Sequence, residues 1–462
     1  MIADLKTYPA YKDSGVEWMG AIPEGWEVRR LGSITTPVSR RGRSDLPLLS
    51  VLRDKGVIRR EEGDGNHNVV PEDLTNYKIV EPGDLVINKM KAWQGSLGVA
   101  AMDGIVSPAY FVYRLRVAER RYAHVLLRSR PYVGAFTAAS SGVRVDQWDL
   151  SPVGMKAIPI LVPSRGEQAA IVRFLDHVDS RIQRFIAVKE RLIELLEEEK
   201  QAIIHRAVTR GLDPNVPLKP SGVDWLGDVP EHWEVVDMGR FIDLLPGFAF
   251  PSGGFSSGAE DTRLLRGVNV APGEVRWDEV VRWPEEQQDS LDRYRLEIGD
   301  LVLGLDRPVI STGTRIARVT EKDTPSLLLQ RVARIRTLSG LLPGFAHLLL
   351  GGEVFRSYMT PIFTGISVPH LSPEQVKNFR IGLPPLGEQK EIIDRVSTDA
   401  EGVDAVVAAA QRHITLLHEF RTRLISDAVT GKLDVREAAE RFPNGPDAAD
   451  AALGEQREEV VA

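Results

Sequence analysis

The chain has 462 residues, too many for one ordinary domain, and its 43% hydrophobic and 27% charged composition suits a globular protein with a sizeable core. It holds no cysteine, which excludes disulfides, thiol catalysis and cysteine-ligated zinc, and no apolar run near the roughly 20 residues of a membrane span. The net charge of −7 does not exclude nucleic acid, because residues 15–165 carry 21 Lys+Arg against 16 Asp+Glu, residues 166–220 nine of each, and residues 221–384 only 17 against 22.

In chain order, "MIADLKTYPAYKDSG" lacks an apolar export segment, so a cytoplasmic location with no membrane role is expected. "SGVEWMGAIPEGWEV" follows at 14–28, with Trp18 and Trp26 read as buried anchors. "SRRGRSD" sets Arg40, Arg41 and Arg43 around a glycine, either a cationic loop for phosphates and guanine edges or a plain solvated loop. "LPLLSVL", "DLVINKM" and "YFVYRLR" read as strands. Just after the second of these, "NKMKAWQGSLG" offers Lys89 and Lys91 for phosphates and Gln94 for an adenine edge, with Trp93 read as core. Residues 120–136 read as helix, and "SSGVRV" places Arg144 in a turn that serves either structure or binding.

A long helix is expected next. Ser164 and Glu167 have capping-box spacing, and apolar residues recur at Ile171, Leu175, Val178, Ile182, Phe185, Leu192, Leu196 and Ile203, with Lys189 and Glu199 as breaks. About 40 residues at ~1.5 Å each make a rod of ~60 Å, longer than a 150-residue domain is wide. Part of its stripe therefore needs a partner outside that domain.

Then the chain repeats itself. "SGVDWLGDVPEHWEV" at 221–235 matches 14–28 at ten of fifteen positions. "EPGDLV" (81–86) returns as "EIGDLV" (297–302), "YAHVLL" (122–127) as "FAHLLL" (345–350), "DLSPVGMKAIPILVPSRGEQ" (149–168) as "HLSPEQVKNFRIGLPPLGEQ" (370–389), and "RAVTRGLD" (206–213) as "DAVTGKLD" (427–434). Five matches in one order identify two homologous halves, whose insertions fall in loops. In the second half "DLVLGLD", "TRIARV" and "LLLQRVARI" read as strands, 343–359 as helix, and "GLDRPVISTGTR" after "GDLVL" corresponds to the segment after "GDLVI", with Arg307 and Arg315 as its cationic candidates. A second long helix carries Ile392, Val396, Val403, Val406, Ala410, Leu417, Phe420 and Leu424, the matched partner for the first rod. Gly211 and Gly431 mark the two helix stops. The acidic, Ala-rich residues 435–462 have no repeat partner and read as a disordered or weakly helical tail.

Catalytic motifs fail on context. "GFSSG" (254–258) has the spacing of a serine elbow but lies in a Gly/Ser/Pro loop, His413 and His418 lie on different helix faces, and no phosphate-loop or dinucleotide glycine motif occurs. The doubled "SGVEWMGAIPEGWEV", "GDLV", "LSP…GEQ" and "AVTRGLD" resemble the DNA-specificity subunit of Type I restriction–modification systems, over roughly 14–434. The resemblance implies an α+β chain with two target-recognition domains, 14–162 and 221–383, each followed by a helical spacer, 163–213 and 384–434. A short N-terminal segment (1–13), a linker (214–220) and the tail complete it. The two spacer helices would pair as an antiparallel coiled coil, with Ile171, Leu175, Ile182, Leu196, Ile392, Val396, Val403 and Leu417 serving pairing and partner docking. The partners implied are double-stranded DNA, two methyltransferase subunits and restriction/translocase subunits. S-adenosylmethionine, ATP and Mg2+ would act on those partners, with no catalytic, cofactor or metal site on this chain. The competing expectations are a DNA-binding scaffold without methyltransferase partners and a nuclease acting alone.

Overall fold

The computed structural model describes residues 5–60, 70–142, 148–285, 291–363 and 369–442. The chain forms two compact units, Met1–Lys189 with Gln411–Ala462, and Glu190–Ala410. Both boundaries fall inside long helices, Arg165–Arg210 and Leu386–Val429. Each unit thus combines one recognition domain with one end of each helix, a division that serial reading of the chain does not give.

In the first unit a four-stranded antiparallel sheet runs in the order Thr35–Pro37, Phe111–Leu115, Asp84–Ile87, Leu97–Val99. In the second the order is Ile242–Pro246, Val332–Thr337, Leu301–Gly304, Ile316–Arg318, again antiparallel throughout. The repeat extends outward from the sheets. Glu27–Arg30 pairs with Pro159–Val162 as Glu234–Asp237 pairs with Arg380–Leu383. Tyr11–Asp13 pairs with Ala21–Pro23 as Leu218–Pro220 pairs with Asp228–Pro230. The short N-terminal segment is therefore the structural counterpart of the linker. The segments read as single helices at 120–136 and 343–359 are each two, Arg120–Arg128 with Arg130–Ala138 and Pro343–Gly351 with Glu353–Phe363, broken at Ser129 and Gly352. The halves differ most where the second has extra chain, which builds a three-stranded sheet containing the parallel pair Thr262–Leu265 and Ser326–Leu328.

The central core of the first unit gathers Trp26, Leu85, Ile87, Tyr122, Tyr132 and Phe136 around Ile171, Phe174, Leu175, Val178, Ile182 and Ile186 of one long helix and Leu424, Ala428 and Val429 of the other. That of the second gathers Trp233, Leu301, Leu303, Phe345, Phe355 and Phe379 around Ala207, Val208, Ile392 and Val396. The buried stripe differs from the expected one at three places: Phe185 (55% exposed), Val406 (48%) and Phe420 (39%) face solvent. Ile186 and Val407 are buried in place of the first two, and the half-buried Arg421 stands beside the third, bonded to Asp179. Lys200 bonds Asp404 across the second unit at 2.6 Å.

The tail differs too. Its first residues form a short helix, Arg436–Glu440, and bury Val435, Ala439 and Phe442 in the first core; residues 443–462 lie outside the described residues. Among the described residues no helix is long and apolar enough to cross a membrane.

Candidate nucleic-acid interface

The doubled "GD" turn explains why Arg40 does not serve a ligand. The Asp84 carboxylate, 2% exposed, accepts from the backbone N–H of Glu81 at 3.0 Å and from Arg40 Nη2 at 2.9 Å. Glu81 bonds Arg40 as well, and Arg114 at 2.6 Å. In the second half Asp300 accepts from the N–H of Glu297 at 2.8 Å and from Arg336 Nε at 2.6 Å. A buried carboxylate is costly unless paired. Each turn therefore draws a strand arginine, Arg114 at 3.7 Å from Asp84 and Arg336 at 2.6 Å from Asp300, and Asp84 takes its closer partner, Arg40, from the loop beyond the edge strand. Arg40 is therefore corrected from candidate ligand to structural counter-ion. Arg43, exposed, is engaged locally by Asp45 at 2.7 Å. Arg41 alone of the three is exposed with no ion pair or side-chain hydrogen bond among the described residues.

Around Arg41 the first recognition domain gathers further cations. Lys78, missed in the sequence because it opens an unremarkable strand, donates to the Tyr110 carbonyl at 2.5 Å. Its pKa is lowered by burial first and then by the neighbouring charges of Arg41 and Lys89, which places three cations on one patch. Lys89 is half-exposed and bonds Asp149 at 2.9 Å. Lys91 is exposed and unpaired among the described residues, and Gln94, half-buried, has no side-chain hydrogen bond there. Trp93, half-buried rather than core, donates to the Met90 carbonyl at 3.2 Å and lies 5.4 Å from the ring of Trp148. In general, cations suit phosphates, an amide suits a base edge and an aromatic pair suits a groove wall.

In the second half Arg307 occupies the position of Lys91, six residues after the first leucine of the "DLV" strand in both copies. It is exposed, unpaired among the described residues, and held at φ +46°. Arg331, at φ +71°, stands beside it and bonds Asp306 at 3.2 Å, which also holds His370 at 2.6 Å. Non-glycine residues rarely adopt positive φ, and such geometry concentrates at binding sites. The same backbone bond fixes both loops: Leu150 N–H donates to the Lys89 carbonyl at 2.9 Å, and Leu371 N–H to the Leu305 carbonyl at 2.8 Å. Arg315 is corrected. Its guanidinium is half-buried and donates to the carbonyls of Val270 at 3.0 Å and Asp306 at 3.1 Å, so it braces the loop from beneath. Arg144, with its counterpart turn 364–368, lies outside the described residues.

No family model matches the chain. The Type I restriction enzyme MjaVIII specificity subunit of Methanocaldococcus jannaschii is 27% identical over 444 residues, 92% of this chain and 97% of its own. The Type I restriction enzyme EcoAI specificity subunit of Escherichia coli is 31% identical over 206 residues, 44% of this chain and 34% of its own. A solved structure described as the basis of complex assembly and conformational transition of the type I R-M system superposes with a TM-score of 0.65. It covers 88% of this chain and 98% of that one at 16% identity, a likeness of fold. The chain is a relative of the Type I specificity subunits.

In this specificity-subunit relative, the doubled motifs other than the loop cations are architecture. Trp26 Nε1 donates to Glu167 at 3.2 Å and Trp233 Nε1 to Glu388 at 3.1 Å, so the "W" of one motif bonds the "E" of "GEQ". Gln168 and Gln389, both buried, clamp the chain before the recognition-domain helices through the N–H groups of Glu119 (3.1 Å) and Leu342 (2.8 Å). Ser164 and Glu167 form the expected reciprocal cap. Trp18, however, is 43% exposed, so only one member of that tryptophan pair is an interior anchor. The "GFSSG" serine, Ser256, sits at an isolated bridge to Arg282 within a loop, donating to Asp261, with no helix after it. Among the described residues no group of three His, Asp or Glu side chains could hold a metal ion.

Proposed function

We propose that the chain reads a two-part double-stranded DNA target, one part by each recognition domain, and positions methyltransferase and restriction/translocase subunits on it. One observation carries the reading. At the same place after the same strand, both halves expose an unpaired cation, Lys91 and Arg307, on a loop held by the same backbone bond, while the side chains around the two differ. Equivalent scaffolds with dissimilar contact residues suit two half-sites of different sequence. Positions held in common serve phosphates, and the differing ones serve base edges.

The two long helices pair, on this reading, as an antiparallel coiled coil that sets the separation of the half-sites. Two contacts support it: Asp179 with Arg421 in one unit and Lys200 with Asp404 in the other, pairs in which a rising number on one helix meets a falling number on its mate. Exposed apolar side chains left on the helices, Phe185, Val188, Leu195, Leu416 and Phe420 among them, are available to partner subunits. The chain itself is non-catalytic, and methyl transfer from S-adenosylmethionine and the ATP- and Mg2+-dependent steps belong to the partners.

Methylation-sensitive sequencing of DNA from cells expressing the chain with its methyltransferase partner tests this. The expected result is an asymmetric adenine-modified motif in two parts separated by unspecified bases. A single undivided motif would sink the two-reader model, and recovery of the chain as a lone DNA-binding monomer would favour a scaffold without partners.

A further inference from the structure

A cavity of about 400 Å³ in the first unit is lined by six cations: Arg53 and Lys55 from a hairpin turn, Arg121, Arg128 and Arg130 from the recognition-domain helices, and Arg421 from the second long helix. Only three carboxylates share it, Asp54, Asp176 and Asp179. Two of these are taken, Asp176 by Arg121 at 3.0 Å and Asp179 by Arg421, and Asp54 lies 3.9 Å from Arg53. Lys55, Arg128 and Arg130 have no carboxylate partner among the described residues.

Two donors face each other in the wall of this cavity. The backbone N–H of Val99 donates to His124 Nδ1 at 3.1 Å. A backbone N–H can only donate, so Nδ1 carries the lone pair and the neutral ring holds its proton on Nε2. Burial, reinforced by Arg128 and Arg121, lowers the His124 pKa to about 4, so the ring is neutral near pH 7. Nε2–H therefore meets Arg128 Nη1, which has no lone pair to offer, across 3.2 Å. The other guanidinium contact of Arg128 is the Arg53 carbonyl at 2.8 Å. Packing is arranged to allow this: Gly56, at φ +75°, lies so close that a Cβ would sit 2.3 Å from Arg128 Nη1.

The fold does not require these cations. In the repeat, His124 returns as His347, but Arg121, Arg128 and Arg130 return as Gly344, Gly351 and Glu353. A half-buried arginine without a carboxylate, abutting a second donor, is an arrangement that an anion completes.

We propose that this pocket binds a phosphate group, with one anionic oxygen accepting from both Arg128 Nη1–H and His124 Nε2–H and the remaining oxygens facing Lys55 and Arg130. The inference is independent of target reading, because it uses none of the loop residues assigned to that role. The phosphate belongs either to the backbone of a duplex or to a free phosphate-bearing small molecule.

Inorganic phosphate is the probe, titrated into the full chain at pH 7.5 against chloride of equal ionic strength, with calorimetry and thermal melting as readouts. Saturable binding that raises the melting temperature is expected. The exposed pair Lys55→Ala/Arg130→Ala should leave melting in chloride unchanged and weaken phosphate binding about tenfold. Absence of a saturable phosphate effect, or equal affinity in the double variant, overturns the proposal. If saturating duplex displaces phosphate and the double variant lowers the salt dependence of duplex binding, the source is the DNA backbone; if phosphate binds alongside duplex, it is a free ligand. Loss of target reading with phosphate binding intact would defeat the proposed function and leave this site standing.

Discussion

Arg40 and Arg41 are neighbours in the chain with opposite roles. Arg40 neutralises the buried Asp84, and Arg41 faces solvent beside Lys78 and Lys89. Arg41→Ala is expected to weaken duplex binding by a similar factor for every sequence and to reduce the slope of log K against log salt by about 1, measured by fluorescence anisotropy over a salt series. Arg307→Ala should do the same from the other half. Arg40→Ala should instead cost up to about 3 kcal/mol of stability, because Asp84 would keep only Arg114, 3.7 Å away, as counter-ion. Urea unfolding separates the two outcomes. Histidines supply a pH signature. Burial lowers the pKa of both His124 (to about 4) and His347, so the unfolded chain binds more protons than the native one below pH 6.5. Stability is therefore expected to fall as pH drops from 6.5 towards 4, and a melting temperature flat across that window would contradict the buried neutral rings.

At the scale of elements, the "GEQ" glutamines show what a repeated motif is for. Gln389 accepts from Leu342 N–H at 2.8 Å and donates to the carbonyls of Gly340 (2.8 Å) and Pro384 (2.9 Å), joining the start of the long helix to the loop before the domain's own helices. Gln389→Ala strands three backbone groups, and a loss of about 3 kcal/mol is expected in chemical denaturation. Helix pairing has its own test in the Lys200–Asp404 bond. Reversing either charge alone should cost about 0.5 kcal/mol or more and reversing both should restore it, whereas additive losses would mean that the two groups do not interact. The helix stripe also shows where sequence reading slips. A strict 4-3 pattern carries the seam onto Phe185, Val406 and Phe420, but the buried positions step to Ile186 and Val407 and to a half-buried arginine. An α-helix turns 3.6 residues at a time, so a heptad drifts across its face and an extra residue resets it. With apolar residues at both 185 and 186, and at both 406 and 407, only the neighbouring surface selects one.

At the scale of the whole molecule, the duplication predicts that damage confined to one reader leaves the other intact. A chain bearing Gln94→Ala, the amide offered to a base edge, should, in complex with its methyltransferase, lose discrimination in one half of the motif and keep it in the other, read by sequencing modified sites. Relaxation of both halves together would mean that the units do not read separately.

The duplicated order of motifs, the central "DLV" strands, the Ser164 cap and the kinship with Type I specificity subunits were legible from residue order, because a gene repeat, strand alternation and capping are written locally; "LLLQRVARI", read as one strand, is two, Ser326–Leu328 and Val332–Thr337, in different sheets. Tertiary structure alone decided which cations are spent inside the protein and which are left for a ligand. Arg40 and Arg41 are one residue type in one loop, and only the position of Asp84, 44 residues beyond Arg40, tells them apart. The same holds for Arg315, whose partners are carbonyls, and for Lys78 and Arg128, which nothing nearby in sequence marks. Charge is a property of a residue, but its availability depends on what folding brings within hydrogen-bonding distance.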